Sequence, residues 1–331
     1  MKKIGVLTSG GDSQGMNAAI YATVKYGIEQ GLEVIGIRGG YSGLLTGDFV
    51  KLEMKDVEGI AHRGGSILGA GRCLEMKTVS GMEKGVAELK KHGIEGLVVI
   101  GGDGSFNGAR ELSVQFGIKT VGIPGTIDND LAYTEFTLGF DSSVSMVANL
   151  VMDLRDTMSS NDRTCVVEVM GNRCGDIALY AGLCCGAEAV LVPEMKYDAD
   201  KLAELVKHNI DVGKKDNIIL VAEGIRSRGV LVKEQEADNV MADLIERIPD
   251  INIRSIVLGH LQRGGNATIQ DRLLGIRMGA HAVDCLVSGK TNVAIGIKDG
   301  KIFDEDIVVA LAKTNRLNTE LYELASNLAK F

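Results

Sequence analysis

Short runs of branched apolar residues alternate along this chain with segments in which apolar positions recur every three to four residues. The runs at 4–7, 33–37, 97–100, 120–123, 164–169, 218–222, 255–258 and 293–297 predict strands. Most lack polar alternation, which predicts burial on both faces, as in parallel sheets. The periodic segments predict helices over about 16–30, 80–92, 142–157, 199–212 and 269–287. In the second of these, Ser80 and Glu83 have capping-box spacing and Gly93 supplies the C-terminal stop. Alternating strands and helices predict an α/β fold of doubly wound, mostly parallel sheets, with ligands at the carboxyl ends of strands.

Length and composition narrow this picture. The 331 residues leave room for two hydrophobic cores, with a boundary near residue 140 and no low-complexity linker or internal repeat. Hydrophobic residues make up 45% and charged residues 24%, and no apolar run approaches the ~18 residues of a membrane span. The opening Met1-Lys2-Lys3 precedes too short an apolar stretch for a signal peptide, so a cytoplasmic protein with no membrane partner is expected. A net charge of -8 argues against a nucleic-acid partner, and any anionic substrate must meet a local basic cluster. The six cysteines form no Cys-x-x-Cys pair and the five histidines no H-E-x-x-H pattern, so neither a disulfide scaffold nor a zinc site is expected.

The 43 glycines carry more information, because three glycine-rich turns follow expected strands. The first, Thr8 to Asn17, contains Gly10, Gly11 and Gly15. Repeated glycine with flanking hydroxyls suits backbone amides that face a phosphate at a helix N-terminus, although one glycine would serve a plain turn. The second, Gly101-Gly102-Asp103-Gly104-Ser105, misses the dinucleotide fingerprint because Asn107 stands where its third glycine belongs. Asp103 there could hold Mg²⁺, or cap the next helix. The third, Pro124 to Asp130, places Asp128 and Asp130 just beyond a strand, where a carboxylate can take the proton of an attacking hydroxyl; Asp-Asn-Asp is also an ordinary loop sequence. Gly289-Lys290-Thr291 mimics the end of a P-loop but leaves a helix, and reads as a C-cap. Phosphate nests, a metal carboxylate and a base are the parts of phosphoryl transfer.

The segments Thr8 to Asn17, Gly101 to Ser105, Pro124 to Asp130, Val167 to Gly171 and Val257 to Gly265 together resemble the signature motifs of bacterial ATP-dependent 6-phosphofructokinases, over about residues 3–310. The resemblance implies two domains, 1–139 plus about 262–312 for nucleotide and 140–261 plus about 313–331 for sugar phosphate. It implies transfer of the γ-phosphate of ATP to the 1-hydroxyl of fructose 6-phosphate. The nucleotide site would use Gly11, Tyr41, Arg72, Cys73, Lys77, Gly102, Asp103, Gly104, Ser105 and Gly108, with Asp103 on Mg²⁺. Asp128 would be the base, aided by Thr126 and Asp130, with Gly11 and Arg72 also serving the transfer. The sugar phosphate would meet Thr126, Ile127, Asp128, Met170, Gly171, Asn172, Glu223, His260 and Arg263. Arg163 and Arg254 would reach in from a neighbouring subunit of a homotetramer.

Departures from the family pattern shape the remaining expectations. Asn172 replaces a usual arginine, which recurs one place later as Arg173; Cys73 replaces an aromatic residue; Gln14 replaces proline, which is expected to loosen its loop. Glycine at both 104 and 125 implies ATP over pyrophosphate as donor, since side chains at these points would fill the nucleoside space. An effector site would draw on Tyr21, Lys25, Arg155, Glu188, Lys214 and Lys215. Tyr21, Met54, Val212 and Asp216 stand where cations are usual, so regulation by nucleoside diphosphate or phosphoenolpyruvate is expected to be weak or altered. The competing readings are a weakly active regulatory paralogue and, more distantly, a lipid or NAD kinase, which shares Gly-Gly-Asp-Gly but lacks the 260–265 motif.

Overall fold

A computed structural model describes residues 1–225, 235–314 and 317–329. The chain runs β1 (Lys3–Ser9), α1 (Met16–Glu29), β2 (Glu33–Ile37), α2 (Tyr41–Thr46), β3 (Phe49–Leu52), α3 (Val79–Lys91), β4 (Gly96–Gly101), α4 (Asp103–Phe116) and β5 (Lys119–Pro124). It continues through α5 (Phe140–Ser159), β6 (Thr164–Val169), α6 (Asp176–Cys185), β7 (Ala189–Leu191), α7 (Ala199–Asp211), β8 (Asn217–Ala222), α8 (Glu236–Arg247) and β9 (Ile253–Val257). It ends with α9 (Ile269–Val287), β10 (Val293–Lys298), β11 (Lys301–Asp306), α10 (Ile307–Ala312) and α11 (Thr319–Leu328). No helix among the described residues is long and apolar enough to cross a membrane.

Two compact units result. The first comprises residues 1–127, 131–142 and 263–314, and the second residues 128–130, 143–262 and 317–329 of the described chain. Unit 1 holds a seven-stranded sheet of order β11-β10-β5-β4-β1-β2-β3, parallel except where β3 and β11 pair antiparallel at its edges. Its β4 is buried at every residue, and the side chains divide by face. Val98 and Ile100 join a core with α1 and α9, while Leu97 and Val99 join another with Phe106 and Leu112 of α4. Helices α1 and α9 cross closely because Gly275 and Gly279 present no side chain: a Cβ at Gly279 would come within 2.5 Å of the Ala19 carbonyl. Unit 2 holds a parallel sheet of order β7-β8-β6-β9, with β6 and β8 fully buried.

The two mostly parallel sheets agree with the expected fold, and the differences are local. Helix α3 is capped by Thr78, whose hydroxyl accepts from the Gly81 amide at 3.0 Å, so the Ser80–Glu83 pair lies inside the helix instead of capping it. Strand β9 begins two residues earlier than its apolar run, because Ile253 and Arg254 extend the ladder beside β6.

Candidate active site

Three neighbouring strands of unit 1 end together: Ser9 of β1 lies opposite Gly101 of β4, which lies opposite Pro124 of β5. The three glycine turns therefore leave one edge of the sheet side by side. In the first, Gly10 and Gly15 have φ of 87° and 91°, a conformation open to glycine and costly for other residues. Gly15 caps α1 with no side chain over its first amides. Residues 66–72 are tied along this turn: Thr8 Oγ1 donates to the Gly69 carbonyl and shares a hydrogen bond with Ser66 Oγ, both at 2.7 Å, and the Gly10 amide donates to Gly71 at 3.1 Å. This sets the exposed Arg72 beside the turn, with Lys77 also exposed and Cys73 half-buried against the core.

Gln14 does not loosen its loop. It is fully buried and its Nε2 donates to the Gly264 carbonyl at 2.8 Å, a tether that proline could not make. The adjoining Arg263 lies over Gly11, where an added Cβ would fall 2.1 Å from its Nη1, and stands 4.0 Å from Asp12.

The second turn opens α4, with Gly102 as N-cap and Asp103 as the first, exposed residue; Asn107 Nδ2 lies 3.3 Å from Asp103 Oδ1. Ser105 is buried beneath the turn, its Oγ 2.5 Å from where a Gly101 Cβ would be. Tyr41 donates its hydroxyl to the Ser105 carbonyl at 2.7 Å, and its ring packs on Gly108 closely enough to exclude a Cβ there. Burial pushes the Tyr41 phenol far above its usual range, so it stays a neutral donor. Tyr41, Gly102, Asp103, Ser105 and Gly108 thus form one cluster. A Cβ at Gly104 would meet nothing within 4 Å, whereas one at Gly125 would press on Ile100 and Met16 at 3.0 Å. Glycine at 104 thus keeps space open outside the fold, and glycine at 125 serves internal packing, so only the first fits the space argument for donor choice.

The residues of the third turn are divided between the two units. Thr126 and Ile127 close unit 1, where Thr137 Oγ1 donates to the Thr126 carbonyl at 2.6 Å, and Asp128 to Asp130 count with unit 2. There Asn129, at φ 51°, donates Nδ2 to the buried Asp176 at 2.9 Å. Asn172 Nδ2 lies 3.4 Å from Asp130, and the Asn172 amide donates to Glu223 at 2.8 Å. The Met170 amide donates to Gln262 at 3.1 Å, and Gln262 Nε2 in turn holds the Gly259 carbonyl beside His260 at 3.0 Å. Unit 2 thereby gathers Asp128, Asp130, Met170, Gly171, Asn172, Glu223 and His260 at the carboxyl end of its sheet. Arg163 and Arg254 lie elsewhere: Arg163 precedes β6 and Arg254 is near the start of β9, so both sit at the opposite end of the parallel pair.

In the expected effector set, Arg155 pairs with Glu188 at 3.1 Å and with Asp216, and Lys214 pairs with Glu188 at 2.8 Å. Lys25 pairs with Glu58 at 2.6 Å and lies over the Tyr21 ring, and Lys215 is exposed. Ligand atoms of His281, Cys285 and Asp304 also converge, but Asp304 already holds Lys290 through both oxygens at 2.7 and 2.8 Å, and a thiol suits no hard cation. Sequence reasoning passed over Asp176, Gln262 and Asp271. Only Asp271 carried a signal, as the fourth residue of a Thr268-x-x-Asp271 box.

A family model described as phosphofructokinase matches residues 3–286. The ATP-dependent 6-phosphofructokinase of Clostridium botulinum (strain Hall) is 50% identical over 330 residues, covering 100% of both chains. That named ATP-dependent 6-phosphofructokinase 1 in Clostridium perfringens (strain 13) is 49% identical over the same span. Among solved structures, phosphofructokinase from Saccharomyces cerevisiae superposes with a TM-score of 0.87 at 34% identity, over 99% of this chain, which spans about half (48%) of the yeast one. A pyrophosphate-dependent phosphofructokinase from Nitrosospira multiformis, 21% identical, shares the fold with a TM-score of 0.88 over 100% of this chain and 92% of that one. The chain belongs to the phosphofructokinase family.

Proposed function

We propose that this chain is an ATP-dependent 6-phosphofructokinase, transferring the γ-phosphate of ATP to the 1-hydroxyl of D-fructose 6-phosphate to give fructose 1,6-bisphosphate and ADP, a step of glycolysis. Full-length identity of 50% to enzymes of that name carries this reading. The grouped turns at the ends of β1, β4 and β5 supply its chemistry.

Unit 1 holds the nucleotide in this reading. Amides of the Gly10–Gly11 and Gly102–Gly104 turns face the phosphates, Tyr41 and Gly108 shape the floor, and Arg72 and Lys77 supply positive charge. Asp103 fits Mg²⁺, being an exposed oxygen ligand at a helix start with open space at the neighbouring Gly104. Bound with ATP, the cation offsets phosphate charge during transfer. Asp128 takes the proton of the sugar 1-hydroxyl as that oxygen bonds to the γ-phosphorus and the bond to the ADP oxygen breaks. Thr126 and Asp130 orient the reacting groups, while Met170, Asn172, Glu223 and His260 hold the sugar.

The position of Arg163 and Arg254 at the far end of β6 and β9 favours their service to another copy's sugar phosphate, as in a homotetramer. Exposed apolar side chains on α9, Ile269 at 78% and Leu273 at 55%, favour self-association as well. The regulatory alternative gains no support, since the full-length relatives described above are named ATP-dependent 6-phosphofructokinases.

Steady-state turnover with ATP, Mg²⁺ and fructose 6-phosphate tests the reading, and no turnover under these conditions would refute it. Asp128→Asn should lower kcat at least ~100-fold with the fructose 6-phosphate KM little changed, because an amide cannot take the proton. Asp103→Ala should weaken use of Mg·ATP while leaving the circular dichroism of the free chain intact.

A further inference from the structure

The residue between the two acids of the third turn is held by a buried carboxylate. Asn129 adopts φ 51°, a left-handed conformation that Asn tolerates better than most side chains, and it reverses the chain between Asp128 and Asp130. Its amide donates to Asp176 Oδ2 at 2.9 Å, and its carbonyl faces the Cys174 thiol at 3.9 Å. Asp176 is 8% exposed and is the first residue of α6. The mount beneath it is rigid: the preceding Gly175 amide donates to Glu194 at 3.0 Å, and a Cβ on Gly175 would strike Val192 at 2.4 Å.

We propose that Asp176 is a positioning residue: through Asn129 it fixes the turn so that the Asp128 and Asp130 carboxylates stand in their reacting orientation. The inference rests on Asp128 being the base. A buried carboxylate is a strong acceptor for an amide N–H, and a rigid helix start makes the grip directional. When the grip is lost, residue 129 regains backbone freedom and the flanking carboxylates swing with it. The sugar is held mainly by other residues, so binding survives. Proton removal demands alignment to well under an ångström, and misplacement of about 1 Å costs roughly 100-fold in rate.

The test measures kcat and both KM values for Asp176→Ala, Asp176→Asn, Asn129→Gly and the double variant Asn129→Gly/Asp176→Ala, with Asp128→Asn alongside. Glycine suits the left-handed turn while removing the amide. Asp176→Ala and Asn129→Gly should each lower kcat between about 10- and 100-fold with both KM values within about threefold, as expected for lost orientation. Asp176→Asn, which keeps an acceptor oxygen, should recover most of the rate. The double variant should be no slower than the worse single one, because both break the same link. If Asp176→Ala fails to fold, Asn129→Gly decides alone by the same criterion. Parental kcat in the deciding variant beside a crippled Asp128→Asn overturns the positioning role, as do losses that multiply in the double variant. Parental kcat in Asp128→Asn would instead remove the base assignment.

Discussion

Single glycines in this site do different work, although the sequence presents them alike. Gly104 faces open space, Gly11 makes room for the Arg263 guanidinium, and Gly125 fits between Ile100 and Met16. Donor choice should therefore answer to position 104 alone. Gly104→Asp should lower kcat/KM for ATP at least tenfold, through charge set against phosphate, with the thermal midpoint nearly unchanged. Gly125→Lys should first cost stability, by about 1–3 kcal/mol, since extra atoms in a packed core force neighbours off their rotamers. Thermal melts beside ATP kinetics check both; equal loss of stability in the two variants would contradict the distinction. Residue identity was thus legible, but the direction in which a side chain would grow from each glycine was not. Gln14 shows the same limit, because only the fold brings the Gly264 carbonyl within its reach.

Two helix starts in unit 1 are clasped by one carboxylate. Asp271, in the first turn of α9 and 1% exposed, accepts from the Gly139 and Ser142 amides at 2.9 Å each and from the Ser142 hydroxyl at 2.5 Å. Asp141 returns the favour by accepting from Thr268 at 2.5 Å. Burial pushes the Asp271 carboxyl from 3.8 up to about 6, against the pull of the Ser142 and Gly139 donors. Between those values the folded chain keeps a proton that the unfolded chain has released. The group's stabilising contribution is thus full below about pH 4 and is lost as pH rises through 6, an effect on the order of 3 kcal/mol. Asp271→Asn removes the titration, so the stability of the parent relative to this variant should fall between pH 4 and 7. Urea midpoints at one protein concentration check this, and a flat or rising difference would refute it. Strands with continuous apolar runs, such as β4 and β8, were legible because burial on both faces leaves no polar alternation. The edge strands β3, β7 and β11 escaped notice for the opposite reason: β3 and β7 are brief, and β11 is partly exposed along its length with charged residues breaking its apolar pattern. Helix α6 was hidden because it starts within glycine-rich motif sequence, where turn chemistry outweighs periodicity.

For the molecule as a whole, the acidic balance of -8 means that every anionic ligand must be met by cations free to turn toward it. Arg72 and Lys77 are exposed beside the proposed donor site. The proposed effector cations are otherwise placed: Arg155 and Lys214 face Glu188 and Asp216, two positive charges against two negative ones. An arriving nucleoside diphosphate or phosphoenolpyruvate would have to displace these carboxylates, and each charge-assisted phosphate contact so lost is worth roughly 1.5 to 3 kcal/mol. Coupling between sites cannot exceed an effector's difference in affinity for two conformational states, so poor contacts also limit regulation. The expected outcome is less than a twofold shift in the half-saturating fructose 6-phosphate concentration when ADP or phosphoenolpyruvate is added below 1 mM, about the scale of a few tenths of a kcal/mol. Asp216→Ala removes one of the two carboxylates on Arg155, which stays paired with Glu188, and should tighten effector binding about tenfold, the size of one such contact. A severalfold shift in the parent chain, or no gain in Asp216→Ala, would show that these pairs do not restrain the response.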